Sequence, residues 1–480
     1  MKISIYNFKS IGSLVNYEMR PLTILSGTNS SGKSSFIQFL LLLKQTLEDD
    51  SAQRSLNLKG DYLKVKNYLD ILKGKTADNK LKVELTFNKK ELSKYRNYHE
   101  VSFYDAAFDN YNLHIVIEFD YIESQIVVSL FEVKFVSIDS LNEENFIRFE
   151  NNENVFNIET DNAVFNDYLY NEQGKFTTKK INYSSFIPTD IEVEYETEIS
   201  NFKDEKIIEK RTIQLVPKLD GIKIILRNFF ETLNYIGPLR QAPKDEYSIN
   251  GIGFSVGVEG EYLAEVFSNL SKDYISYYKL EENDTTLNFI NCEDFFVNAV
   301  KYWLCDRFKL CSDVYSIKEG DSFIIYVQSN TGIKSTIKHV GFGISQILPI
   351  IVEGLRIGAG ETLILEQPEI HLHPKVQSLV TDFLLSLVVQ GKKIIIETHS
   401  DHLITRLRRR IAEDPTNGLD NRVLLTFVEV GSSDILFRSI DIDDFGNLDY
   451  FPDDFIENPD TELKAILKAQ MKKRLNQRGL

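Results

Sequence analysis

Residues Gly27-Thr28-Asn29-Ser30-Ser31-Gly32-Lys33-Ser34-Ser35 fit the pattern G-x-x-x-x-G-K-[ST]. An apolar run, Leu22-Thr23-Ile24-Leu25, precedes it, and Phe36, Ile37, Phe39, Leu40 and Leu43 follow at helical spacing. Strand, glycine-rich turn and helix in that order turn backbone N–H groups inward and form an anion cradle. The helix, expected from Lys33 to Leu47, aims the positive end of its dipole at the same point. Gly27, Asn29, Ser30, Ser31, Gly32, Lys33, Ser34 and Ser35 are therefore candidate phosphate-binding residues. Lys33 would reach β/γ-phosphates, and the Ser34 hydroxyl would hold Mg²⁺. A chain with such a loop is constrained to an α/β core.

Composition bounds the rest. The chain has 480 residues, 42% hydrophobic and 26% charged, which is enough for a large core and two or three domains. A net charge of −16 argues against general attraction to nucleic acid. Two local basic groups stand out: Arg406, Arg408, Arg409 and Arg410, and Lys472, Lys473, Arg474 and Arg478. Each reads first as a solvated helix face. The cysteines, Cys292, Cys305 and Cys311, show neither disulfide nor zinc spacing and fit reduced core thiols. No apolar run approaches the ~20 residues that span a membrane. A cytoplasmic location without membrane contact is expected.

Five regions follow from the pattern. Residues 1–80 hold short strands and the phosphate loop. Residues 81–218 form a β-rich insertion, with period-two runs such as Leu113, Ile115, Ile117 and Phe119, and Ile191, Val193 and Tyr195. Residues 219–312 read as a helical lobe, with helices near 219–233, 259–271 and 293–309. Residues 313–420 return to α/β. Residues 421–480 form a small α+β module, with strands near 422–440 and a helix near 461–475. No fixed-period repeat or sustained heptad is present.

Three later segments carry chemistry. Thr362-Leu363-Ile364-Leu365-Glu366 is a buried-type strand ending in a carboxylate, the form of a Walker B strand, and Glu366 can hold Mg²⁺ through its water shell. Lys393-Ile394-Ile395-Ile396-Glu397-Thr398-His399-Ser400 delivers His399 to the strand ends, where ligands of open α/β sheets bind. Val340-Gly341-Phe342-Gly343-Ile344-Ser345-Gln346 opens a helix. There Gly343 and Ser345 offer a second anion site. Two anion sites in one chain suggest two chains sharing each nucleotide.

This order of parts resembles the ABC-type ATPase head, in its SMC and OLD-nuclease (overcoming lysogenization defect) branch. It is more closely similar to bacterial stand-alone ATPases termed AAA family. The matching residues are Tyr235-Ile236-Gly237-Pro238-Leu239-Arg240, Val256-Gly257-Val258-Glu259-Gly260-Glu261-Tyr262, Glu366-Gln367-Pro368-Glu369-Ile370-His371-Leu372-His373-Pro374 and Glu397-Thr398-His399-Ser400. Asp443-Asp444-Phe445-Gly446-Asn447 and Pro452-Asp453-Asp454-Phe455 resemble the C-terminal module of the same group. The resemblance covers roughly 1–75 and 235–480, and the insertion matches no named family. It implies ATP and Mg²⁺ as cofactors. It also implies a homodimer of heads, or a higher homo-oligomer, in which Lys33 and Ser34 of one chain face Ser345 of the other. Relatives often act in anti-phage defence beside an effector, commonly a nuclease.

One departure matters. The wider superfamily places a water-polarising glutamate after the Walker B acid, and this chain has Gln367. An amide accepts no proton, so hydrolysis should be slow unless Glu369 or His399 substitutes. The glutamine that usually contacts Mg²⁺ has no evident counterpart. The leading expectation is a nucleotide-dependent switch controlling an effector. A DNA-repair or chromosome-organising ATPase that binds nucleic acid through the basic clusters is the alternative. An OLD-like nuclease would need a metal site, and the late acids Asp441, Asp443, Asp444 and Asp449 surround what reads as a hairpin turn.

Overall fold

The computed structural model describes residues 1–28, 31–49, 55–93, 111–138, 144–152, 155–170, 176–198, 206–249, 254–282, 286–416, 418–432 and 434–450. Asn29 and Ser30 of the phosphate loop, Pro452 to Phe455, the basic tail and the expected helix near 461–475 lie outside them.

The core is a six-stranded sheet. Its strands are β1 (Leu22–Gly27), β2 (Leu233–Ile236), β3 (Thr362–Glu366), β4 (Lys393–Glu397), β5 (Val423–Val430) and β6 (Ile435–Ile440), in the spatial order β2-β3-β4-β1-β5-β6. All neighbours are parallel except β5 and β6. Strands covered on both faces carry continuous apolar runs, so β1, β3 and β4 lack the polar alternation of a half-exposed strand. Their side chains still alternate between two cores. Ile24, Leu363, Leu365, Ile394, Ile396 and Leu425 face one, and Leu25, Ile364, Ile395 and Leu424 face the other. The expected C-terminal module thus contributes β5 and β6 to the core sheet.

Helix α1 (Lys33–Glu48) leaves β1 directly and is buried almost all round, from Phe36 to Leu47. That fits a helix sandwiched between layers rather than one on a surface. Its second cover is a seven-stranded antiparallel sheet holding Lys2–Phe8, Ile11–Glu18, Leu81–Phe87, Tyr111–Ile122, Gln125–Ser137, Glu144–Asn152 and Val155–Thr160. Leu81–Phe87 pairs with Lys2–Phe8. The β-rich stretch expected as an insertion therefore grows out of the N-terminal strands as one sheet. A three-stranded sheet, Phe176–Ser184, Ile187–Glu198 and Lys206–Gln214, adds to the same core.

The region expected to be a helical lobe is mixed. Tyr274–Glu282 and Leu287–Phe295 form a hairpin that the helical reading does not anticipate. The helix expected near 293–309 starts at Phe296 and passes into a π-helical turn, Tyr302–Arg307.

On the other side of the sheet lie α2 (Phe342–Arg356), α3 (Pro374–Val389) and α4 (Asp401–Ala412). Asp382 of α3 is fully buried and accepts both guanidinium forks, from Arg406 (3.1 and 2.7 Å) and Arg410 (2.7 and 3.0 Å) of α4. Arg307 stands 3.6 Å away. Burial pushes the Asp382 carboxyl up, but the hydrogen bonds from Arg410 and Arg406 outweigh it and hold the pKa below the usual range. Arg409 and Arg410 also pair with Glu413, and Arg408 donates to the Gly446 carbonyl. Arg406 and Arg410 of the first basic cluster are thus spent on internal pairing, while Arg409 stays on the solvated face. Asp382→Asn leaves buried guanidinium charge uncompensated. It should cost about 3–5 kcal/mol in urea unfolding, and a loss below ~1 kcal/mol would show that this network is not a structural staple.

Candidate functional site

The parallel strands end at one edge, and the candidate residues gather there. Gly27 closes β1 at φ +141°, and Gly32 caps α1 in the left-handed region at φ +97°. A Cβ on Gly27 would strike the Val428 carbonyl, and one on Gly32 would strike Ser10 and Ile435. Only glycine fits either position. Lys33 is buried, and its ammonium donates to the carbonyl oxygens of Gly27 (3.1 Å) and Thr28 (2.6 Å) and to Ser31 Oγ (3.4 Å). Burial lowers its pKa, and Glu397 opposes the shift. Ser35 is buried and meets Ser10 Oγ at 2.7 Å.

Glu366 and Glu397 are Cα partners at the ends of β3 and β4. The Ser34 hydroxyl donates to Glu397 Oε1 at 3.0 Å. Burial and then the neighbouring Glu366 push the Glu397 carboxyl up to about 7. Burial also raises Glu366, which accepts from the Tyr235 hydroxyl at 2.7 Å. Glu369 Oε1 accepts the His399 backbone N–H at 2.8 Å, and burial raises Glu369 as well. The second oxygens of Glu397 and Glu369 are buried without a partner. Burial and the Lys33 charge lower His399, against a backbone hydrogen bond at Gly27, so it is a neutral imidazole beside the loop.

Gln367 follows Glu366 at φ +46°, a costly conformation for a residue with a Cβ. Two neighbours hold it. Its N–H donates to the Glu397 carbonyl at 2.8 Å, and Arg240 donates to the carbonyl oxygens of Gln367 and Glu366, each at 3.1 Å. Arg240 is buried, which brings its pKa down to about 10. The loop that follows Tyr235 and bears Arg240 is stitched to the second resembling segment: Gly237 N–H donates to the Val258 carbonyl and Gln241 N–H to the Glu259 carbonyl, both at 2.8 Å.

Gly27, Gly32, Lys33, Ser34, Glu366, Gln367, Glu369 and His399 thus share one neighbourhood. Gly343 and Ser345 do not complete it from within the chain. Ser345 Oγ donates to the Phe342 carbonyl at 2.8 Å, while Gly341 and Phe342 are exposed at the start of α2. The Phe342 ring packs on His371, in the turn after β3.

Sequence reasoning gave no role to Glu397, Tyr235 or Arg240. One signal was available for Glu397: Thr362–Glu366 and Lys393–Glu397 are equal-length apolar runs that both end in glutamate. A cleft of about 1250 Å³ along β2 shares Tyr235 with the site but none of the phosphate-loop residues. Asp443 and Asp449 serve as turn acceptors, and the described residues hold no cluster of three metal-ligating side chains.

The donor set suits a phosphate ester with a hard divalent cation. The loop lacks a Cβ at both of its ends, Gly27 and Gly32, one ammonium is at hand, and two acidic oxygens, on Glu369 and Glu397, are buried and unsatisfied. A fold with a phosphate loop and an acid at an adjacent strand end defines a P-loop nucleotide-binding protein. The chain belongs to the AAA ATPase domain family, whose model matches residues 1–404. Among solved structures it is similar to an SMC head bound to the C-winged helix domain of ScpA, at 10% identity and TM-score 0.43 over 92% of this chain and 97% of that one. It is also similar to an SMC head domain from Thermotoga maritima, at 9% identity and TM-score 0.33 over 91% and 97%. A third is an SMC head with an extended coiled coil bound to the C-terminal domain of ScpA derived from Pyrococcus furiosus, at 11% identity and TM-score 0.38 over 92% and 96%. No curated protein matches the chain significantly. Among the described residues no helix is long and apolar enough to cross a membrane.

The acid pair predicts a pH signature. A carboxyl raised in the folded state keeps its proton there while the unfolded chain releases it near 4.5. Its stabilising contribution is complete below that value and is lost as pH rises to about 7. Lys33, Glu366 and Glu369 face Glu397 and set the size of the effect. Without nucleotide or divalent cation, the melting temperature should fall across this window, and Glu397→Gln should flatten the fall. Superimposable wild-type and variant profiles would contradict the assignment.

Proposed function

We propose that this ATPase is a nucleotide-dependent switch. It binds ATP with Mg²⁺, joins with a second copy, and in that state assembles or controls a partner effector in bacterial anti-phage defence. One observation carries the reading: the helix that bears Ser345 opens on exposed Gly341 and Phe342, with Ser345 buried just behind them and bonded to the Phe342 carbonyl, so a single chain offers half of a phosphate site. The other half would come from Gly343 and Ser345 of a second copy.

In this reading the loop N–H groups from Gly27 to Ser35, Asn29 and Ser30 included, and the Lys33 ammonium hold the phosphates. Ser34 and Glu366 hold Mg²⁺, which supplies charge neutralisation when bound. His399, neutral and beside Lys33, accepts or donates one hydrogen bond at the terminal phosphate or an attacking water. Gln367 orients water without taking its proton, and one oxygen of Glu369 is held by the His399 N–H. Turnover should therefore be slow and the bound state long-lived, as a switch requires. A DNA-organising role draws less support, because Arg406 and Arg410 are committed to Asp382.

Size-exclusion with light scattering should show a larger assembly for wild type on adding ATP and Mg²⁺, and no change for Lys33→Ala. Equal assembly by both would count against the proposal.

A further inference from the structure

The site buries a second carboxylate beside Glu366. Glu397 is 4% exposed. One of its oxygens accepts a hydrogen bond from the Ser34 hydroxyl, and the other has no partner. The Lys33 ammonium spends its three donors on Gly27, Thr28 and Ser31. Glu397 is therefore not simply the ion-pair partner of that lysine. Its strand lies between β1, which leads into Ser34, and β3, which ends in Glu366, and its Cα is in register with that of Glu366. A buried carboxylate oxygen with nothing to accept is costly unless something arrives to satisfy it.

We propose that Glu397 is the second carboxylate of the divalent-cation site. Oε1 holds the Ser34 hydroxyl by its proton, which leaves the Ser34 oxygen lone pairs for the cation. Oε2 accepts from the water shell of the cation. Mg²⁺ characteristically uses one or two carboxylates plus phosphate oxygens and keeps several waters. This inference rests on the reading of the site as one for a Mg²⁺-bound nucleotide. It adds a specific consequence: without a cation, Glu397 repels the phosphates that it helps to hold once a cation is present.

The test uses full-length protein, Mn²⁺ as a paramagnetic probe, and a slowly hydrolysed ATP analogue. Electron paramagnetic resonance gives Mn²⁺ affinity in the presence of the analogue, and a fluorescent analogue in EDTA gives metal-free affinity. Glu397→Gln keeps the size of the side chain, and a thermal melt checks its fold. The expected result is Mn²⁺ binding weakened about 10–100-fold, with metal-free nucleotide bound as well as or better than by wild type. Unchanged Mn²⁺ affinity overturns the proposal. So does parallel loss of both affinities, which would make Glu397 a purely structural strand residue. If wild type binds no nucleotide under either condition, the broader functional reading falls together with this inference.

Discussion

The organising constraint is an excess of buried acid at the ends of two neighbouring strands. Glu366 and Glu397 sit side by side, Glu369 lies close, and all three are pushed towards neutrality by desolvation. Two cations stand nearby, and neither balances the group. Lys33 is turned to backbone carbonyls, and Arg240 is turned to the carbonyls of the β3 turn. Like charges gathered in a dry pocket are tolerated when a ligand later compensates them. Such an arrangement makes the free protein slightly wrong by itself and gives a bound dication disproportionate effect.

The sheet makes that arrangement rigid. Parallel pairing fixes β3, β4 and β1 at one level, so their last residues cannot move independently. The left-handed Gln367 is held from both sides, by the Glu397 carbonyl and by Arg240. Arg240 in turn belongs to a loop bonded to Val258 and Glu259. A Cβ on the neighbouring Gly260 would press on Pro349 of α2. Helix α2, which carries Ser345, is thus in packing contact at Pro349 with the loop that steadies the acid turn.

Much of this was legible in the chain. The phosphate loop, the strand ending in Glu366 and the strand leading to His399 are local signals, and the fold gathers them at one edge of the sheet. The α/β class and the strand–turn–helix around Lys33 were equally clear. Pairing was not. Nothing local in Leu81–Phe87 says that it extends the sheet begun by Lys2–Phe8, because period two marks a strand but not its neighbour. The hairpin at Tyr274–Glu282 and Leu287–Phe295 was hidden in a region of helical pattern. The inward pairing of Arg406 and Arg410 was hidden because Asp382, which neutralises them, lies on another helix. Glu397 was overlooked because its meaning depends on register with Glu366, which is a tertiary fact.

The central claim is that each nucleotide site is shared, with Lys33 from one copy and Ser345 from another. Mixing two inactive variants tests it most directly. Lys33→Ala destroys one half-site and Ser345→Arg the other, and each alone should lack nucleotide-dependent activity. A one-to-one mixture should recover about a quarter of the wild-type sites, because half of randomly paired dimers would carry one intact composite site of two. A mixture no more active than the sum of its parts would contradict the account.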